Sequence, residues 1–451
     1  MPRNARFVAP AGATALLIIL GGCRTPGEHA ERFAVGEIML HSHFAANLRA
    51  LSVPGGRLSG TENARQAEEF IAAQARSYGL RNVRFHAFEM HCWRDRTTDI
   101  TLLVDPPRRY EGAVALGRTQ STPPGGVTAE LVDVGDGRPE DFAAKAERLA
   151  GRFALTRDAG PTRWRKLELV RQYGGTGMLV MMPPEREPVI GNGHAEPRPE
   201  PAAVIRHDAD LLARLAGGET LRLNMSLETE NWVCRPRNVI AEIPGRGPYA
   251  HEVIIVCAHL DSWHLAEGAL DNGSGSTTVL EVARALASSG WRPRRTVRFI
   301  WFMGEELGLC GSEAYVRDHA DELDDIVAVI NLDMPGRPQQ IGHYGHPEIE
   351  PFLQRFVSDL SAYGLSPEIR TFRGTRSDHA PFMRAGVCAL AIAGDIGPGG
   401  RHYHTTGDTY DTVDRQGTIP TAAVVATLVR RLADADERPT VRLPSSSDAA
   451  E

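Results

Sequence analysis

The chain has 451 residues, which exceeds the usual size of a single compact core and favours two or three domains. Its hydrophobic content of 42% and charged content of 24% are typical of an ordinary globular protein. The net charge is −7, with acidic and basic residues interspersed, so we expect no basic face for nucleic acid.

The N-terminus has the organisation of an export signal. Two arginines precede an apolar stretch at residues 8–20, which is too short to span a bilayer and is followed by small residues. Cys23 follows a Leu-Gly-Gly triplet and resembles the lipid-modified cysteine of a bacterial lipobox, so residues 1–22 are predicted to be a signal peptide. An ordinary signal peptide with a chance cysteine is the alternative. We expect an exported protein that is secreted or lipid-anchored to the cell envelope (outer membrane or periplasm), with membrane contact only through Cys23.

Five further cysteines are distributed along the chain without a CxxC pair. An odd number with this spacing is typical of neither a disulfide framework nor a cysteine zinc site. An oxidising compartment permits a disulfide without requiring one. Cys257 and Cys388 lie in apolar runs and are predicted to be small buried side chains.

Residues 23–109 are predicted to open the main domain. Apolar side chains recur at helical spacing over residues 31–51, and a second amphipathic helix through residues 68–78 ends at Gly79. Residues 83–89 are predicted to form a strand.

Between residues 110 and 232 the pattern changes to short β-like runs separated by many glycines and prolines. Strands are predicted at residues 128–134, 152–156 and 177–181, and a helix over residues 167–177. This pattern predicts a smaller α+β domain inserted into the main one.

From residue 233 to residue 435, apolar runs of strand length alternate with helical patterns. Three nearly continuous runs, residues 253–258, 297–302 and 326–332, are typical of strands buried on both faces of a sheet. The helical pattern that follows the first run has an apolar face that would pack on this sheet. The alternation predicts an α/β fold with a mixed central sheet flanked by helices.

The last residues, 436–451, are charged and rich in proline and serine. This composition predicts a disordered tail. A homodimer is compatible with the organisation of the chain, and the sequence does not define the oligomeric state.

Five potential metal ligands lie at predicted strand ends, in a glycine-flanked loop or near the C-terminus. Imidazole and carboxylate groups are suitable for zinc, and no thiolate is among them. Five ligands can hold two ions if one carboxylate bridges, and paired ions ~3.5–4 Å apart can share a hydroxide. Asp271, in the glycine-flanked loop, is the candidate bridge. The predicted ligands are His259, Asp271, Glu306, Asp333 and His404.

Two further carboxylates are predicted to assist this site. Glu305 and Glu306 are neighbours at a strand end, where their side chains point in different directions, so Glu306 can bind metal while Glu305 acts as general base. Asp261 lies two residues after His259 and shares its face in an extended chain. We therefore expect Asp261 to accept the other imidazole N–H and orient the ring.

Each of these residues also has an ordinary structural interpretation. Asp271 alone could be a helix N-cap, and adjacent glutamates are common on solvated surfaces. Histidines at strand ends are usually structural, and this is our interpretation of His343, His346 and His402. The complete set, in order and at strand ends, favours the metal site.

The motifs resemble those of the co-catalytic zinc aminopeptidases, and in detail those of carboxypeptidase Q-like metallopeptidases. The resemblance covers nearly the whole mature chain. It includes the metal-ligand motifs and segments without ligands, such as residues 56–61, 121–130 and 292–296.

The resemblance implies a zinc exopeptidase fold interrupted by a protease-associated-like insert at residues 110–232. It also implies two Zn²⁺ ions per chain, one on His259 and Asp333 and the other on Glu306 and His404, with Asp271 between them. In such enzymes the peptide bond that follows the equivalent of Asp271 is often cis.

Some positions depart from the family pattern. Cys257 stands where a small residue such as glycine is usual, and Cys388 stands where proline is common. Residues 331–334 are closer to the simple aminopeptidases. These departures leave the substrate preference open. Asp378 lies in a family-like segment and is either a support or substrate contact of the site or a structural turn residue.

The expected function is hydrolysis of dipeptides or of N-terminal residues of short peptides, with Glu305 as the base. Two alternatives use the same fold. A glutaminyl cyclase would use a single zinc and a reduced ligand set, and a non-catalytic surface module would have lost ligands or the base. Aminoacylase-like amide hydrolysis is a third option. No ligand position or base is missing from this sequence.

Overall fold

The computed structural model of the protein describes residues 26–191 and 200–445. The predicted signal peptide and Cys23 lie outside these residues. Across the two described stretches, no helix combines the length and the apolar character that crossing a membrane requires.

The described residues form sixteen strands in two sheets. In chain order the strands are β1 (Arg81–Ala87), β2 (Met90–Leu102), β3 (Arg108–Arg109), β4 (Val114–Ala115), β5 (Val127–Asp133), β6 (Phe153–Arg157), β7 (Gly177–Met181), β8 (Ala202–Ile205), β9 (Arg222–Cys234), β10 (Arg237–Ile243), β11 (Val253–His259), β12 (Thr296–Phe302), β13 (Ile326–Asn331), β14 (Arg337–His343), β15 (Ile369–Thr371) and β16 (Ala389–Asp395).

Twelve α-helices connect or cover these strands within the described part of the chain. They are α1 (Pro26–Leu40), α2 (Phe44–Leu51), α3 (Glu62–Ser77), α4 (Pro139–Ala143), α5 (Ala146–Leu149), α6 (Arg163–Gln172), α7 (Ala209–Ala216), α8 (Ser274–Ser288), α9 (Cys310–Asp318), α10 (Glu350–Gln354), α11 (His379–Arg384) and α12 (Arg415–Ala433).

The first sheet is mixed and has the strand order β1-β10-β12-β11-β13-β16-β14-β15. Its centre is parallel, because β11 pairs in parallel with both β12 and β13, and β13 pairs in parallel with β16. Strands β11, β12 and β13 are buried along their whole length, as the three apolar runs predict. The α/β fold with a mixed central sheet and flanking helices is confirmed.

Helices α1, α8 and α12 contact one another beside the central sheet, and α8 and α12 also contact β11. Helix α8 follows the first apolar run, and the four residues of its predicted apolar face are all buried: Val279, Val282, Ala283 and Leu286. Helix α11 contacts α9 and the strands β13 and β16.

The second sheet has the order β3-β2-β9-β5-β6-β7-β8-β4 and is accompanied by helices α4 to α7. The strands predicted at residues 128–134, 152–156 and 177–181 correspond to β5, β6 and β7. The sheet uses residues from Met90 to Cys234, a wider range than the predicted insert at residues 110–232. Where one domain ends and the next begins stays a prediction.

A disulfide joins Cys92 on β2 to Cys234 on β9, across 142 residues of sequence. The two strands are antiparallel neighbours, so the bond links the residues at which the chain enters and leaves the second sheet. The sequence left a disulfide open, because pairing cannot be deduced from cysteine spacing alone. Cys257 and Cys388 are buried, as predicted.

The helical pattern over residues 31–51 forms two helices, α1 and α2, rather than one. The chain breaks at residues 41–43, where the Ser42 hydroxyl accepts the Phe44 N–H and Glu281 accepts the His43 N–H. These side chains satisfy donors that a continuous helix would have used internally.

The structure describes residues 436–445 of the predicted disordered tail, and two of them hydrogen-bond to the main domain. The Thr440 side chain donates a hydrogen bond to the Val327 carbonyl at 2.5 Å, and the Leu443 N–H donates to the Gly386 carbonyl at 2.8 Å. The composition of this stretch is polar, but these bonds to the main domain hold it in place. Residues 446–451 lie outside the described residues.

Candidate active site

The predicted site residues come together at one edge of the central sheet. His259 is the last residue of β11, Glu305 and Glu306 follow β12, and Asp333 follows β13. Because these three strands are parallel neighbours, their carboxyl ends lie side by side. Asp271 lies in the turn Ala269–Gly273 that leads into α8.

His404 reaches the same place from the C-terminal part of the chain. Its Nε2 lies 2.9 Å from Asp271 Oδ2 and 3.0 Å from Glu306 Oε2. On the other side, His259 Nε2 lies 3.1 Å from Asp271 Oδ1 and 3.4 Å from Asp333 Oδ1. Each carboxylate oxygen of Asp271 therefore faces a different histidine, which is the arrangement that a carboxylate bridging two cations requires.

Two overlapping groups of side chains are compact enough to hold an ion. One ligand atom each from His259, Asp271 and Glu306 lies within 4.8 Å of the others, and the same is true of His259, Glu305 and Asp333. Glu305, the predicted base, therefore adjoins the predicted ligands closely enough to reach an ion or its water.

The histidines are strongly cationic in the absence of metal. Burial opposes the charge on His404, but Glu306 and Asp271 raise its pKa to about 10. Burial likewise opposes the charge on His259, but Glu305 and Asp333 raise its pKa well above the usual value. In the metal-free protein, protons on the two imidazoles supply the positive charge that cations would supply in their place.

The pKa values of the carboxylates also indicate that the metal-free site lacks positive charge. Burial raises the pKa of Glu306 to about 7 and that of Glu305 well above its usual value, and neighbouring carboxylates add to both shifts. Asp271 has a lowered pKa: burial opposes its charge, but its contacts with both histidines outweigh the effect of burial. In addition, the buried Asp333 Oδ1 accepts no hydrogen bond. Two divalent cations would balance the four carboxylates, so the donor set fits a dinuclear centre.

The carboxylate of Asp261, predicted to accept the imidazole N–H of His259, lies near that ring but is not its nearest acceptor. His259 Nδ1 donates to the backbone carbonyl of Asp261 at 3.1 Å, whereas the nearest carboxylate oxygen of Asp261 is 3.7 Å away. The carboxylate instead accepts the Glu305 N–H at 3.2 Å and the Ser59 hydroxyl at 3.2 Å. Strand β11 ends at His259, so the alternation expected of an extended strand does not fix the direction of the Asp261 side chain. Asp261 thus holds the backbone of Glu305.

Three residues that hold the Asp271 turn were not assigned roles from the sequence. Asp408 accepts the backbone N–H groups of Leu270 and Asp271 at 2.6 and 3.1 Å. The Asn272 side chain donates to the Leu332 carbonyl at 2.9 Å and accepts the Met334 N–H, which links the turn to the Asp333 loop. Arg57 is the third of these residues.

The Arg57 guanidinium is fully buried and donates to four backbone carbonyls, those of Leu51, Leu260, Glu267 and Gly268. It thereby ties the loop after His259 to the residue before the turn. Arg57 and Asp408 lie in segments that match family motifs, and that match is the signal that could have identified them.

The peptide bond between Asp271 and Asn272 is cis, as the resemblance implies. Asp378 is fully buried, accepts the Ser312 hydroxyl at 2.6 Å, and has a pKa raised to about 7, chiefly by burial. It is therefore buried against Ser312 of α9. His343 and His346 pair with Glu350 and Glu348, away from the ligands.

A cleft of about 710 Å³ opens over the site. Glu305, Glu306 and His404 line its floor, together with the aromatic rings of Trp263 and Tyr403. The ring of Tyr403 stacks on that of His404 at 3.8 Å, and Trp263 meets His404 edge to face at 6.0 Å. The opposite wall comes from segments that follow β6 and β7 of the second sheet, namely residues 158–164, Arg186 and residues 189–191.

The fold and this cluster define a metal-dependent hydrolase with its site at the carboxyl edge of a mixed sheet. Residues 238–429 match the model of peptidase family M28. Carboxypeptidase Q from Mus musculus is 24% identical over 400 residues, which cover 85% of this chain and 84% of the relative. This part of the chain therefore resembles peptidase family M28, and the protein is a peptide hydrolase similar to carboxypeptidase Q.

Solved structures share the architecture. A peptidase M28 precursor from Shewanella amazonensis superimposes with a TM-score of 0.81 at 24% identity, covering 93% of this chain and 99% of that one. An aminopeptidase from Aneurinibacillus sp. strain AM-1 gives a TM-score of 0.70 at 25% identity, covering 93% and 98%. The similarity therefore extends over both sheets.

Proposed function

We propose that this protein is a dinuclear zinc exopeptidase that hydrolyses dipeptides or removes N-terminal residues from short peptides. The observation that carries the proposal is the position of Asp271, whose two oxygens face His259 and His404 separately. His259 and Asp333 would hold one ion, and Glu306 and His404 the other. The names of the relatives, carboxypeptidase Q and aminopeptidase, are those of enzymes that act at peptide ends.

When bound, a pair of zinc ions lowers the pKa of water and polarises the scissile carbonyl. Glu305 lies close to His259 and Asp333, so it would take the proton from the attacking water and deliver it to the leaving amine. Asp261 supports this role because its carboxylate holds the Glu305 backbone N–H.

The surroundings of the site suit a short peptide with a free amine. Carboxylates on the floor of the cleft attract an ammonium group. A second cavity of about 270 Å³ adjoins Asp333 and is lined by Tyr344, Phe372 and Ile392, among others. This cavity would receive an apolar side chain next to the cleaved bond.

The experiment compares zinc content and dipeptide hydrolysis in the wild type and in Glu305→Gln. We expect two zinc ions per chain in both proteins and a turnover that is roughly 10²- to 10⁴-fold lower in the variant, because only the proton acceptor is lost. Glu313→Gln is the matched control, since Glu313 is an exposed residue of α9 paired with Arg384.

Three outcomes would contradict the proposal. Full activity of Glu305→Gln would show that Glu305 is not the general base. One zinc per chain would fit the single-zinc glutaminyl cyclase alternative. Failure of the zinc-loaded wild type to cleave any member of a dipeptide and short-peptide library would favour a non-catalytic surface module.

We also propose that the protein is exported, with the lipid on Cys23 as the membrane contact and peptides as its binding partners. The disulfide between Cys92 and Cys234 supports an oxidising compartment. Labelling with radioactive palmitate should mark the wild type and not Cys23→Ser. Export without labelling would favour the ordinary signal peptide.

A further inference from the structure

His404 is held by the segment that follows β7 in the second sheet. Its Nδ1 lies 3.1 Å from the backbone carbonyl of Ile190, and its own carbonyl accepts the Ile190 N–H at 3.0 Å. The two residues are 214 positions apart in the chain. The second sheet therefore touches a predicted metal ligand through two backbone groups.

His404 needs support from outside its own loop. Its φ is +57°, in the left-handed region that residues with a β-carbon disfavour. Without an external constraint the backbone would relax toward negative φ and carry the imidazole away from Asp271 and Glu306. The paired bonds with Ile190 supply this constraint.

Ile190 is in turn anchored by Arg163, the first residue of α6. The guanidinium donates to the carbonyl of Val189, the preceding residue, at 2.6 Å and pairs with Asp158 at 2.9 Å. The Arg163 side chain is only 14% exposed, so both contacts are shielded from competing water. A continuous series of contacts thus runs from Asp158 through Arg163 and residues 189–190 to His404.

The bond to Ile190 also fixes which nitrogen of His404 can bind metal. When Nδ1–H donates to a carbonyl, Nε2 is left with its lone pair directed at the space between Asp271 and Glu306. The Ile190 carbonyl therefore orients the ring of His404 in the same way as the Asp261 carbonyl orients the ring of His259.

We infer that Arg163 and the segment Val189–Ile190 are positioning residues for His404, so that the second sheet completes the half of the metal centre that contains Glu306. This inference rests on the proposed function, because it takes His404 as a ligand. It gives the second sheet a role in building the site besides forming the wall of the cleft.

The test is zinc titration of the metal-free protein by calorimetry, with Arg163→Met compared to the wild type. Methionine keeps the apolar stem and loses the donors to Val189 and Asp158. We expect the dissociation constant of one of the two ions to rise by about 10-fold, at the lower end of the effects seen when support of a ligating histidine is lost. The other dissociation constant should stay the same.

Arg157→Met is the matched control. Arg157 also pairs with an aspartate of the second sheet, Asp133 at 2.8 Å, and none of the hydrogen bonds described for its side chain is to residues 189–190. We expect this variant to bind both ions as the wild type does. Thermal unfolding of the metal-free proteins separates an effect on the site from general destabilisation.

Unchanged zinc affinities in Arg163→Met would overturn the inference. An equal loss of affinity for both ions, together with a lowered melting temperature of the metal-free protein, would also overturn the inference, because Arg163 would then be merely structural. If Arg163→Met does not fold, Asp158→Asn is titrated instead. We then expect a smaller loss of affinity, again for only one of the two ions. A wild type that binds one ion would refute the proposed function rather than this inference.

Discussion

The protonation of His404 in the metal-free protein is the sharpest test of the electrostatics of the site. Its pKa is raised to about 10 by Glu306 and Asp271, against the effect of burial. At pH 8 such a histidine is ~99% protonated, whereas a histidine with the ordinary pKa of about 6.5 is only ~3% protonated. We therefore predict that His404 does not titrate between pH 5.5 and pH 8.

The assay is nitrogen NMR of ¹⁵N-histidine-labelled, metal-free protein, with His404→Gln to assign the signal. The imidazolium signal of His404 should persist at pH 8 and should be replaced when zinc is added. Metal binding is affected as well: since zinc must displace this proton, its affinity should rise by at least about tenfold per pH unit over this range, and more steeply below pH 7, where Glu306 is also protonated. A titration midpoint near 6.5 would refute the reasoning, since it would mean that the carboxylates are not concentrated around the ring.

Three further predictions concern the stability of the protein and its zinc content. Burial lowers the pKa of Lys166 to about 8, so between pH 8 and pH 10.5 the unfolded chain binds more protons than the folded protein. The free energy of unfolding of the wild type should therefore rise by up to about 3 kcal/mol across that window, whereas that of Lys166→Met should not. Denaturant titrations that give the same pH dependence for both proteins would contradict this prediction. Replacing Cys92 and Cys234 by alanine should lower the free energy of unfolding by about 2–5 kcal/mol, measured in the same way, and an unchanged value would show that the cross-link does not restrict the unfolded chain. Asp408→Ala leaves two buried N–H groups of the Asp271 turn without an acceptor, which should cost about 1–3 kcal/mol for each group and reduce zinc content; retention of two zinc ions would argue against its support of the turn.

The central sheet and the ligand set could be predicted because both depend on local patterns. The apolar runs that became β11, β12 and β13 are long and uninterrupted, and polar residues follow them immediately. In a parallel sheet the ends of such strands meet at one edge, so His259, Glu306 and Asp333 could be placed together without knowing the rest of the fold.

The features that the sequence did not predict depend on contacts between distant segments or on local turns. The bond between Ile190 and His404 joins residues that no periodicity relates. The disulfide depends on the register of β2 and β9. Asp261 was assigned to the imidazole because an extended chain was assumed, but β11 ends at His259 and the backbone carbonyl of Asp261, rather than its carboxylate, accepts the imidazole N–H.

The position of Cys92 and Cys234 has a consequence for how such a protein can change. Their Cα atoms are 6.1 Å apart, so the segment between them departs from and returns to the main sheet at nearly one point. Segments with adjacent ends are readily lengthened, shortened or exchanged, because the host strands need not move. In this protein, however, any replacement would have to present a carbonyl where Ile190 now lies, because that carbonyl holds His404, the proposed metal ligand.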